Sequence, residues 1–416
     1  MNRGRRGCCV LRRGNLQVCD EWSRDRHCIL QRVTTAVAPG IPSGIPTGIL
    51  RVIEPMLRGP SGHYAEFVRA LASRADGIFT RIEVVADPRA HEFLPTLSGA
   101  VPVTAVAMRR GAAAELRAIH GSLREGHHTL VLTATAMHAL GADCAALLDG
   151  DMLARLSLCV HWPLQTRGAR LALHLAPRAR ERSLFLATTR GVGEQLHAAN
   201  IDHVGVIHYP ATRAQGALLR APFRHLLMAG AARINKGLDV VAGFAELLAQ
   251  RNADLPLIVQ VSPKHVDHHG SREGAVVARL LAAHYRGLVA DAKSPDREEY
   301  AARYCGALVL APYEREKFAD GVSGIVLDAL LHGAPVITSA GTWAAEVVER
   351  FDAGVVLRER TAEHLAAATE KVLANWALYA ENAARASDAL ALEHDPRTVA
   401  KLIASHSTSH STSHTA

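Results

Sequence analysis

The amino-acid sequence predicts an α/β protein of two doubly wound domains, each with a parallel sheet covered by helices on both faces. The chain has 416 residues, of which 49% are hydrophobic and 21% are charged, enough for two separate cores. Short apolar segments typical of fully buried strands alternate with segments of helical periodicity. This alternation runs through two successive series, which indicates two α/β domains facing across a cleft.

The first domain is predicted for residues 46–215. Its helices are expected over 64–75 and 111–123, where apolar residues recur with the helical period. The predicted strands are 49–55, 81–87, 101–107, 128–134, 157–163, 183–189 and 203–210.

The second domain is predicted for residues 216–385 and repeats the same alternation. A closing helix over 386–404 is expected to follow and could pack back on the first domain. The predicted helices of the second domain are 232–250, 324–333 and 342–351, and its predicted strands are 223–230, 255–261, 287–291, 306–312, 335–338 and 354–358.

The two ends of the chain differ in composition from the rest. Residues 1–33 carry eight arginines and three acidic residues, so most of the net charge of +7 lies there, and residues 1–45 are predicted to be a disordered basic extension. The Ser/Thr/His-rich stretch 405–416 is predicted to be a disordered tail. Because the basic excess is confined to one short segment, we do not expect the protein to bind nucleic acid.

The sequence favours a cytoplasmic location. No apolar run reaches the roughly 18 residues of a membrane-spanning helix, and the arginine-rich start lacks the apolar segment of a secretory signal. Cys144, Cys159 and Cys305 stand singly in apolar surroundings and are expected to be buried free thiols, which suits a reducing compartment. Peripheral contact with the inner face of a membrane is open, for example through a helix over 111–125.

A glycine-containing turn, GPSGH at 59–63, lies between the first strand and the first helix. Gly59 and Gly62 would let backbone N–H groups approach an anion at the helix N-terminus. The spacing lacks the third glycine of a dinucleotide-binding fingerprint. An ordinary tight turn is the alternative reading.

The segment GAARINKGLD at 230–239 occupies the equivalent place in the second domain. Arg233 and Lys236 fall near a helix N-terminus, where the helix dipole disfavours cations. Their position is understandable if a doubly charged anion binds between them, because arginine offers two parallel donors and lysine a point charge. A solvated basic turn is the alternative.

The segment DGVSGIVLD at 320–328 joins a strand to a helix that is expected to start near Val322 or Ser323. Asp320 then lies in the loop and Asp328 lies in the helix, so the two carboxylates can address different parts of an extended, hydroxyl-rich ligand. Ser323 is expected to cap the helix, with Gly321 in the turn before it. Asp328 stands among apolar residues, where an unpaired carboxylate is costly.

One histidine ends a strand of the first domain at the expected edge of the cleft. His161 precedes Trp162 and Pro163, and this position makes it a candidate for chemistry as well as for a structural role. No cluster of metal-ligating residues is apparent in the two α/β domains, so we expect no metal or other cofactor.

Taken together, these segments resemble the large family of retaining, GT-B-fold glycosyltransferases that use nucleotide-sugar donors (glycosyl transferases group 1, glycosyltransferase family 4-like). The resemblance covers roughly residues 49–400. Its most specific part, DGVSGIVLDALLHGAPVITSAGTWAAEVV, is similar to the family's paired-acid segment, the turn that follows it, and a later glutamate, here Glu346. GAARINKGLD resembles the family's diphosphate clamp, and GPSGHYAEFVRALA its first glycine loop.

The resemblance implies a role for each candidate residue. Arg233 and Lys236 would bind the donor diphosphate, and His161 would lie near the reacting sugar. Asp328 would hold the ribose hydroxyls. The remaining assignments place the glycine loop at the phosphates (Gly59, Gly62) and the start of the acid segment at the sugar (Asp320, Gly321, Val322, Ser323).

The resemblance also implies transfer of a sugar with retention of configuration, without a metal, to an acceptor that the sequence does not name: a glycan, a lipid-linked molecule or a small molecule. The arginine and lysine would stabilise the charge of the leaving phosphate. The chain departs from the family by having aspartate, shorter by one methylene, at both acid positions, and serine at 323 in place of a common glycine.

Four other functions fit the predicted architecture. A nucleotide-sugar epimerase on the same scaffold would turn over without an acceptor, and a catalytically weak homologue would bind the nucleotide sugar only. A two-lobed binding protein normally carries an export signal, which we do not find. A dinucleotide oxidoreductase would need the full glycine fingerprint, and Asp87 after the second strand supports it only weakly.

Overall fold

The computed structural model describes residues 48–60, 62–108, 111–146, 150–162, 166–213, 219–261, 271–293 and 295–411. The N-terminal extension predicted over 1–45 lies outside the described residues. The described residues belong to one compact unit that contains both sheets.

The first sheet has seven parallel strands in the order β3-β2-β1-β4-β5-β6-β7. Every residue of β4, β5 and β6 is buried, as expected for strands that helices cover on both faces. The strands are β1 (Ile49–Glu54), β2 (Arg81–Ala86), β3 (Val103–Ala107), β4 (His128–Val131), β5 (Leu156–Val160), β6 (Leu184–Ala187) and β7 (Val204–Val206).

The second sheet has six parallel strands in the order β10-β9-β8-β11-β12-β13. Together the two sheets confirm the predicted fold class of two doubly wound α/β domains. The strands are β8 (His225–Met228), β9 (Leu257–Gln260), β10 (Leu288–Asp291), β11 (Ala307–Ala311), β12 (Val336–Ser339) and β13 (Gly354–Leu357).

Helices connect the strands within each domain. In the first domain they are α1 (His63–Arg74), α2 (Ala112–Arg124), α3 (Ala136–Ala145), α4 (Arg167–His174), α5 (Pro177–Arg182) and α6 (Arg190–Ala198). In the second domain they are α7 (Leu238–Gln250), α8 (Ser271–Ala282), α9 (Arg297–Ala302), α10 (Arg315–Phe318), α11 (Gly324–Leu331), α12 (Trp343–Phe351) and α13 (Ala362–Ala374). The chain closes with α14 (Trp376–Glu393) and α15 (Pro396–Ser411).

Many of these helices begin where the sequence supplies a capping side chain. Each such oxygen accepts a hydrogen bond from a backbone N–H that has no partner inside the helix. The caps are Thr166 for α4, Thr189 for α6, Asp296 for α9, Ser323 for α11, Thr342 for α12 and Thr361 for α13. The start of each of these helices is therefore specified by the capping residue that precedes it in the sequence.

The end of the chain differs from the prediction of one helix over 386–404 and a disordered tail from 405. The closing segment is two helices, α14 and α15, and α15 continues to Ser411. The helix extends into the predicted tail because His406 is buried there, with Nε2 2.8 Å from the Arg182 carbonyl oxygen and its ring against His203. Residues 412–416 lie outside the described residues.

The last helix belongs to the first domain's core although it follows the second domain. Val399, Ala400, Ile403 and Ala404 are buried in the same cluster as the apolar residues of α1 and β1. α14 packs against α11 of the second domain. The chain therefore crosses between the domains near Asp395.

Helix α2, which covers most of the segment 111–125 proposed for membrane contact, has no apolar face to offer. Ala114, Ile119 and Leu123 are buried in the first domain's second core cluster. Among the described residues, no helix combines the length and apolar character needed to cross a bilayer.

The prediction of buried thiols is correct for one of the three single cysteines. Cys159 is buried, Cys305 is half-buried and Cys144 is exposed. Cys144 faces solvent because it falls on the outer side of α3, which the local apolar composition does not reveal.

Candidate active site

The predicted segments lie at the carboxyl edges of the two sheets. In the first sheet the connections leave β1 and β4 in opposite directions, and in the second sheet β8 and β11 do the same. Such a reversal opens a crevice where ligands bind in parallel α/β folds. The loop at 59–62 follows β1, the turn at 230–237 follows β8, and the segment 312–323 follows β11.

The glycine loop presents uncovered backbone at its crevice. Gly62 precedes α1 with a φ of 100°, a conformation that favours glycine, and no side chain caps the helix there. Apart from the adjoining residues of the chain, no described atom lies within 4 Å of the position that a Cβ would occupy at Gly59 or Gly62. The N-terminus of α1 is therefore open to a ligand.

His161 lies at the end of β5 with its tautomer fixed by a neighbour. Nε2 is 2.7 Å from the carbonyl oxygen of Leu132, which can only accept, so Nε2 carries the hydrogen. Cys159 Sγ lies 3.5 Å from the same nitrogen. Burial lowers the pKa of His161, and the bond to the Leu132 carbonyl opposes this change. The ring is therefore neutral near pH 7.

His63 at the start of α1 joins this group, although its sequence position did not identify it. Its backbone oxygen accepts a hydrogen bond of 2.6 Å from Tyr209 Oη. Burial lowers the pKa of His63 to about 4, with contributions from His161 and from Lys236 of the second domain. The residue as a whole is nonetheless exposed to solvent. The two domains thus bring three nitrogen bases near one another.

The basic turn after β8 contains a short 3-10 helix, Ile234–Lys236, which Gly237 ends with a φ of 93°. Arg360, from the loop after β13, binds this turn through its side chain. Its Nη2 donates to the Ile234 carbonyl at 2.7 Å, its Nε donates to the Pro312 carbonyl at 2.8 Å, and it forms an ion pair with Asp239. The turn is therefore preorganised before any ligand arrives.

The two cations of this turn are poorly satisfied by the protein itself. Nε of Arg233 is buried without a hydrogen-bond partner among the described residues. Burial lowers the pKa of Lys236 to about 8, and the charge of Arg233 contributes. A buried donor without a partner and a lysine with a depressed pKa both destabilise this turn. An anion placed between them would correct both.

The Asp320 carboxylate contacts the opposite domain. A Cβ on Gly191, at the start of α6, would come within 2.3 Å of Asp320 Oδ2. Gly321 and Val322 follow as half-buried residues of the loop. Asp320 therefore faces the cleft, on the first-domain side.

Ser323 caps α11 as predicted. Its Oγ accepts from the backbone N–H of Val326 at 3.3 Å and lies 3.1 Å from Tyr313 Oη. The helix itself begins at Gly324, one residue beyond the expected start. The side chain is thus occupied within the protein, and its backbone N–H is the group that remains for a ligand.

Asp328 is not an isolated carboxylate among apolar residues. Tyr300 Oη donates to its Oδ2 at 2.8 Å, and Tyr304 Oη donates to Tyr300 Oη at 2.7 Å. Burial raises the pKa of Asp328 to about 7, the bond from Tyr300 lowers it, and the charge of Glu66 on α1 raises it. The free-energy cost of burying the Asp328 carboxylate is therefore only partly offset by the hydrogen bond from Tyr300.

Glu346, which the resemblance aligns with a family glutamate, lies exposed in the first turn of α12. Within the described ranges no group of three or more histidine, cysteine or acidic side chains is arranged to hold a metal ion. The charged side chains of the turn after β8, Arg233 and Lys236, are cations and suit an anionic ligand.

Comparisons with known proteins place this geometry in context. No protein-family model and no curated protein matches the sequence. Among solved structures, HepE from Anabaena in complex with UDP and glucose superposes with a TM-score of 0.58 at 16% identity, covering 86% of this chain and 98% of that one.

Two further structures show the same similarity. A glycosyltransferase from Rickettsia africae gives a TM-score of 0.64 at 11% identity over 87% of this chain and 98% of its own. Sucrose-phosphate synthase from Thermosynechococcus elongatus gives 0.60 at 14% identity over 85% and 96%. At such identities the likeness establishes the fold. The protein is thus a two-domain α/β protein with the GT-B fold that these glycosyltransferases share.

Proposed function

We propose that the protein is a glycosyltransferase that moves a sugar from a nucleoside-diphosphate-sugar donor to an acceptor, with retention of configuration and without a metal ion. The observation that carries the proposal is the set of basic side chains His63, His161, Arg233 and Lys236 at the carboxyl edges of the two sheets. The GT-B fold is consistent with it.

The basic turn lacks an anionic partner among the described residues, and a diphosphate would supply one. Lys236 and Arg233 repel each other, and the pKa of Lys236 is lowered to about 8 as a result of burial and of that repulsion. The open backbone at Gly59 and Gly62 adds N–H donors at a helix N-terminus. Two cations and such a helix end together suit the two phosphates of a nucleoside diphosphate.

The rest of the donor would extend along the second domain. Asp328, held by Tyr300, is the group that would accept hydrogen bonds from the ribose hydroxyls. Asp320 and the backbone of Gly321, Val322 and Ser323 would meet the sugar. HepE was solved with UDP and glucose, so these are the first nucleotide and sugar to test.

In the proposed reaction the bond between the sugar's anomeric carbon and the diphosphate oxygen breaks, and a bond to the acceptor oxygen forms on the same face. The acceptor's hydroxyl proton passes to the leaving phosphate oxygen. Arg233 and Lys236 stabilise the charge that develops on the diphosphate. His161, neutral and fixed by Leu132, orients the sugar from the first domain. Closure of the cleft excludes water from the sugar.

The acceptor is proposed to bind the first domain, and it can be a glycan, a lipid-linked molecule or a small molecule. We propose a cytoplasmic location with peripheral membrane contact. Because α2 buries its apolar side, that contact must use another surface.

The experiment that tests the proposal is a thermal-shift panel of UDP, GDP and ADP, each with and without attached glucose, with and without a chelator. We expect one nucleoside diphosphate to raise the melting temperature, and the chelator to leave the shift unchanged. A panel in which no nucleotide stabilises the protein would contradict the proposal. Anomeric analysis of the product by NMR then checks retention.

Two alternatives are separated by turnover. An epimerase would convert the nucleotide sugar without any acceptor, whereas a catalytically weak homologue would bind the donor and release neither sugar nor nucleotide.

A dinucleotide oxidoreductase is disfavoured by the acid after β2, because Asp87 is already engaged by Arg89 at 2.9 Å and by Arg58 at 3.5 Å.

A further inference from the structure

Helix α4 presents an unusual solvent-facing stripe on the first domain. Leu171 is 57% exposed and Leu175, directly after the helix, is 55% exposed. Arg167, Arg170 and His174 share this face, because positions spaced by three and four residues lie on one side of a helix. The opposite side is buried in the core. α4 is thus amphipathic and leaves apolar side chains in water.

The surroundings of this stripe are strongly basic. Residues 166–183 contain five arginines and one glutamate. Arg178 and Arg182 are neutralised by Asp143 and Asp151, respectively. Arg167 and Arg170 form no ion pair with any described residue. Two cations therefore stand beside two exposed leucines without an acidic neighbour to balance them.

A cavity of about 520 Å³ opens beside the stripe, between α4, α5 and α6. Arg170 and His174 line it from the stripe, and Arg180, Gln195 and Asn200 line it from α5, α6 and the turn after α6. Nε of Arg180 is buried without a hydrogen-bond partner among the described residues. The cavity therefore presents the cationic side chains of Arg170 and Arg180 to an anion.

We propose that the α4 stripe, Arg167, Arg170, Leu171, His174 and Leu175, docks on a membrane surface that contains anionic lipids, with one lipid headgroup phosphate entering the adjacent cavity. The leucines enter the acyl boundary, and the arginines meet the negative headgroups. An anionic bilayer accounts for both the exposed leucines and the unpaired arginines of the stripe.

Charge argues against the other occupants of this face. In a symmetric contact with a second copy, the unpaired arginines of both stripes would face each other. Residues 1–33 carry eight arginines against three acidic residues and would be repelled as well. An anionic bilayer is the partner that matches the stripe in both polarity and sign.

Docking through α4 has a geometric consequence for the cleft. α4 follows β5, whose end carries His161, so the membrane surface would lie beside the first-domain wall of the crevice. This inference does not depend on the proposed transferase activity, because it concerns a different surface and is measured by lipid binding.

The test is flotation of the full-length protein with vesicles of phosphatidylcholine alone or of phosphatidylcholine mixed with phosphatidylglycerol. We expect wild-type protein to float only with the anionic vesicles, and less so as salt is raised. Leu171→Ser/Leu175→Ser and Arg167→Gln/Arg170→Gln should each lower the partition coefficient by about tenfold or more. The matched control is Leu378→Ser/Leu392→Ser, at leucines on α14 that are 54% and 80% exposed, and it should bind as wild type.

Three outcomes would overturn the proposal: equal flotation with both vesicle types, no flotation at all, or α4 variants that bind like wild type. Inorganic phosphate forms a separate arm. If phosphate stabilises the protein through Arg180 while anionic vesicles do not bind, the cavity is a site for a free anion and the lipid proposal is wrong. Circular dichroism of each variant checks that the fold is kept.

Discussion

The carboxylate of Asp320 in the second domain lies against the backbone of Gly191 in the first, leaving no room for a Cβ there. Gly191 belongs to the first turn of α6, where alanine would otherwise be favoured over glycine by about 1 kcal/mol. The contact thus joins a helix start in one wall of the cleft to a proposed sugar-binding carboxylate in the other.

Gly191→Ala should separate helix stability from cleft geometry. We expect an unchanged or slightly higher melting temperature, because alanine suits the helix, together with altered donor affinity, because Asp320 must move. The measurements are thermal melting and calorimetric titration with the best nucleotide sugar. Gly121→Ala is the matched control, since it lies in α2 with open space around its Cβ position, and it should leave donor affinity unchanged.

Removing either cation of the basic turn should weaken nucleotide binding. A hydrogen bond to a charged group contributes about 1.5 to 3 kcal/mol, so Arg233→Ala and Lys236→Ala should each raise the Kd roughly ten- to hundredfold. Lys371→Ala, at an exposed lysine on α13, is the control and should bind as wild type. If both turn variants bind as tightly as wild type, the assignment of the diphosphate site is wrong.

The affinity for a nucleoside diphosphate should fall as the pH rises above about 8. Lys236 has a pKa of about 8 in the free protein, and a bound dianion favours its charged form and raises that pKa. Binding above this pH must therefore take up a proton, and affinity should drop by up to tenfold per pH unit until the bound-state pKa is reached. Titrations at several pH values measure this.

Lys236→Arg supplies the control for that pH dependence. Arginine stays charged throughout the range, so the decline above pH 8 should disappear even if the affinity at neutral pH is lower. A wild-type affinity that stays constant from neutral pH to well above pH 8 would show that Lys236 does not contact the ligand.

Asp328→Asn should stabilise the empty protein while weakening nucleotide binding. Burial raises the pKa of Asp328 from 3.8 to about 7, so ionisation costs folding free energy as the pH rises through this range. The melting temperature of the variant should therefore match wild type near pH 4 and exceed it at pH 7 and above. Melting curves across this range test the prediction, and a variant less stable at pH 7 would contradict it.

Tyr300→Phe should affect recognition of the ribose more than that of the phosphates. Loss of its hydrogen bond leaves the Asp328 carboxylate harder to ionise and less well oriented. We expect wild type to prefer UDP over 2′-deoxyuridine diphosphate and the variant to lose most of this preference. A uniform loss of affinity for both nucleotides would instead indicate a general structural defect.

The strands could be predicted from the sequence because buried parallel strands are short apolar runs bounded by turns. Helices such as α4 and α5 could not, because they are rich in arginine and span only eight and six residues, too few for a helical period to stand out. The prediction of a disordered tail from residue 405 is wrong for a related reason. The composition of this stretch is polar, but His406 is buried against Arg182 and His203 of the first domain.

The residues of the candidate site likewise divide into those that the sequence identifies and those that it does not. Arg233, Lys236, Asp320 and Asp328 could be singled out because each lies just beyond a strand or in a helix that follows one. His63, Tyr300 and Arg360 could not, because their importance depends on contacts between distant segments. Arg360 reaches Asp239, which is 121 residues away, and Tyr300 reaches Asp328, which is 28 residues away.

The final helix gives the chain a particular order of assembly. Val399, Ala400 and Ile403 fill the core beneath α1, so that core stays open to water while the intervening second domain is being made. During synthesis the first domain is thus exposed to aggregation for as long as the ribosome needs to pass through the second domain and reach α15. The segment that seals the first domain is therefore made only after the second domain.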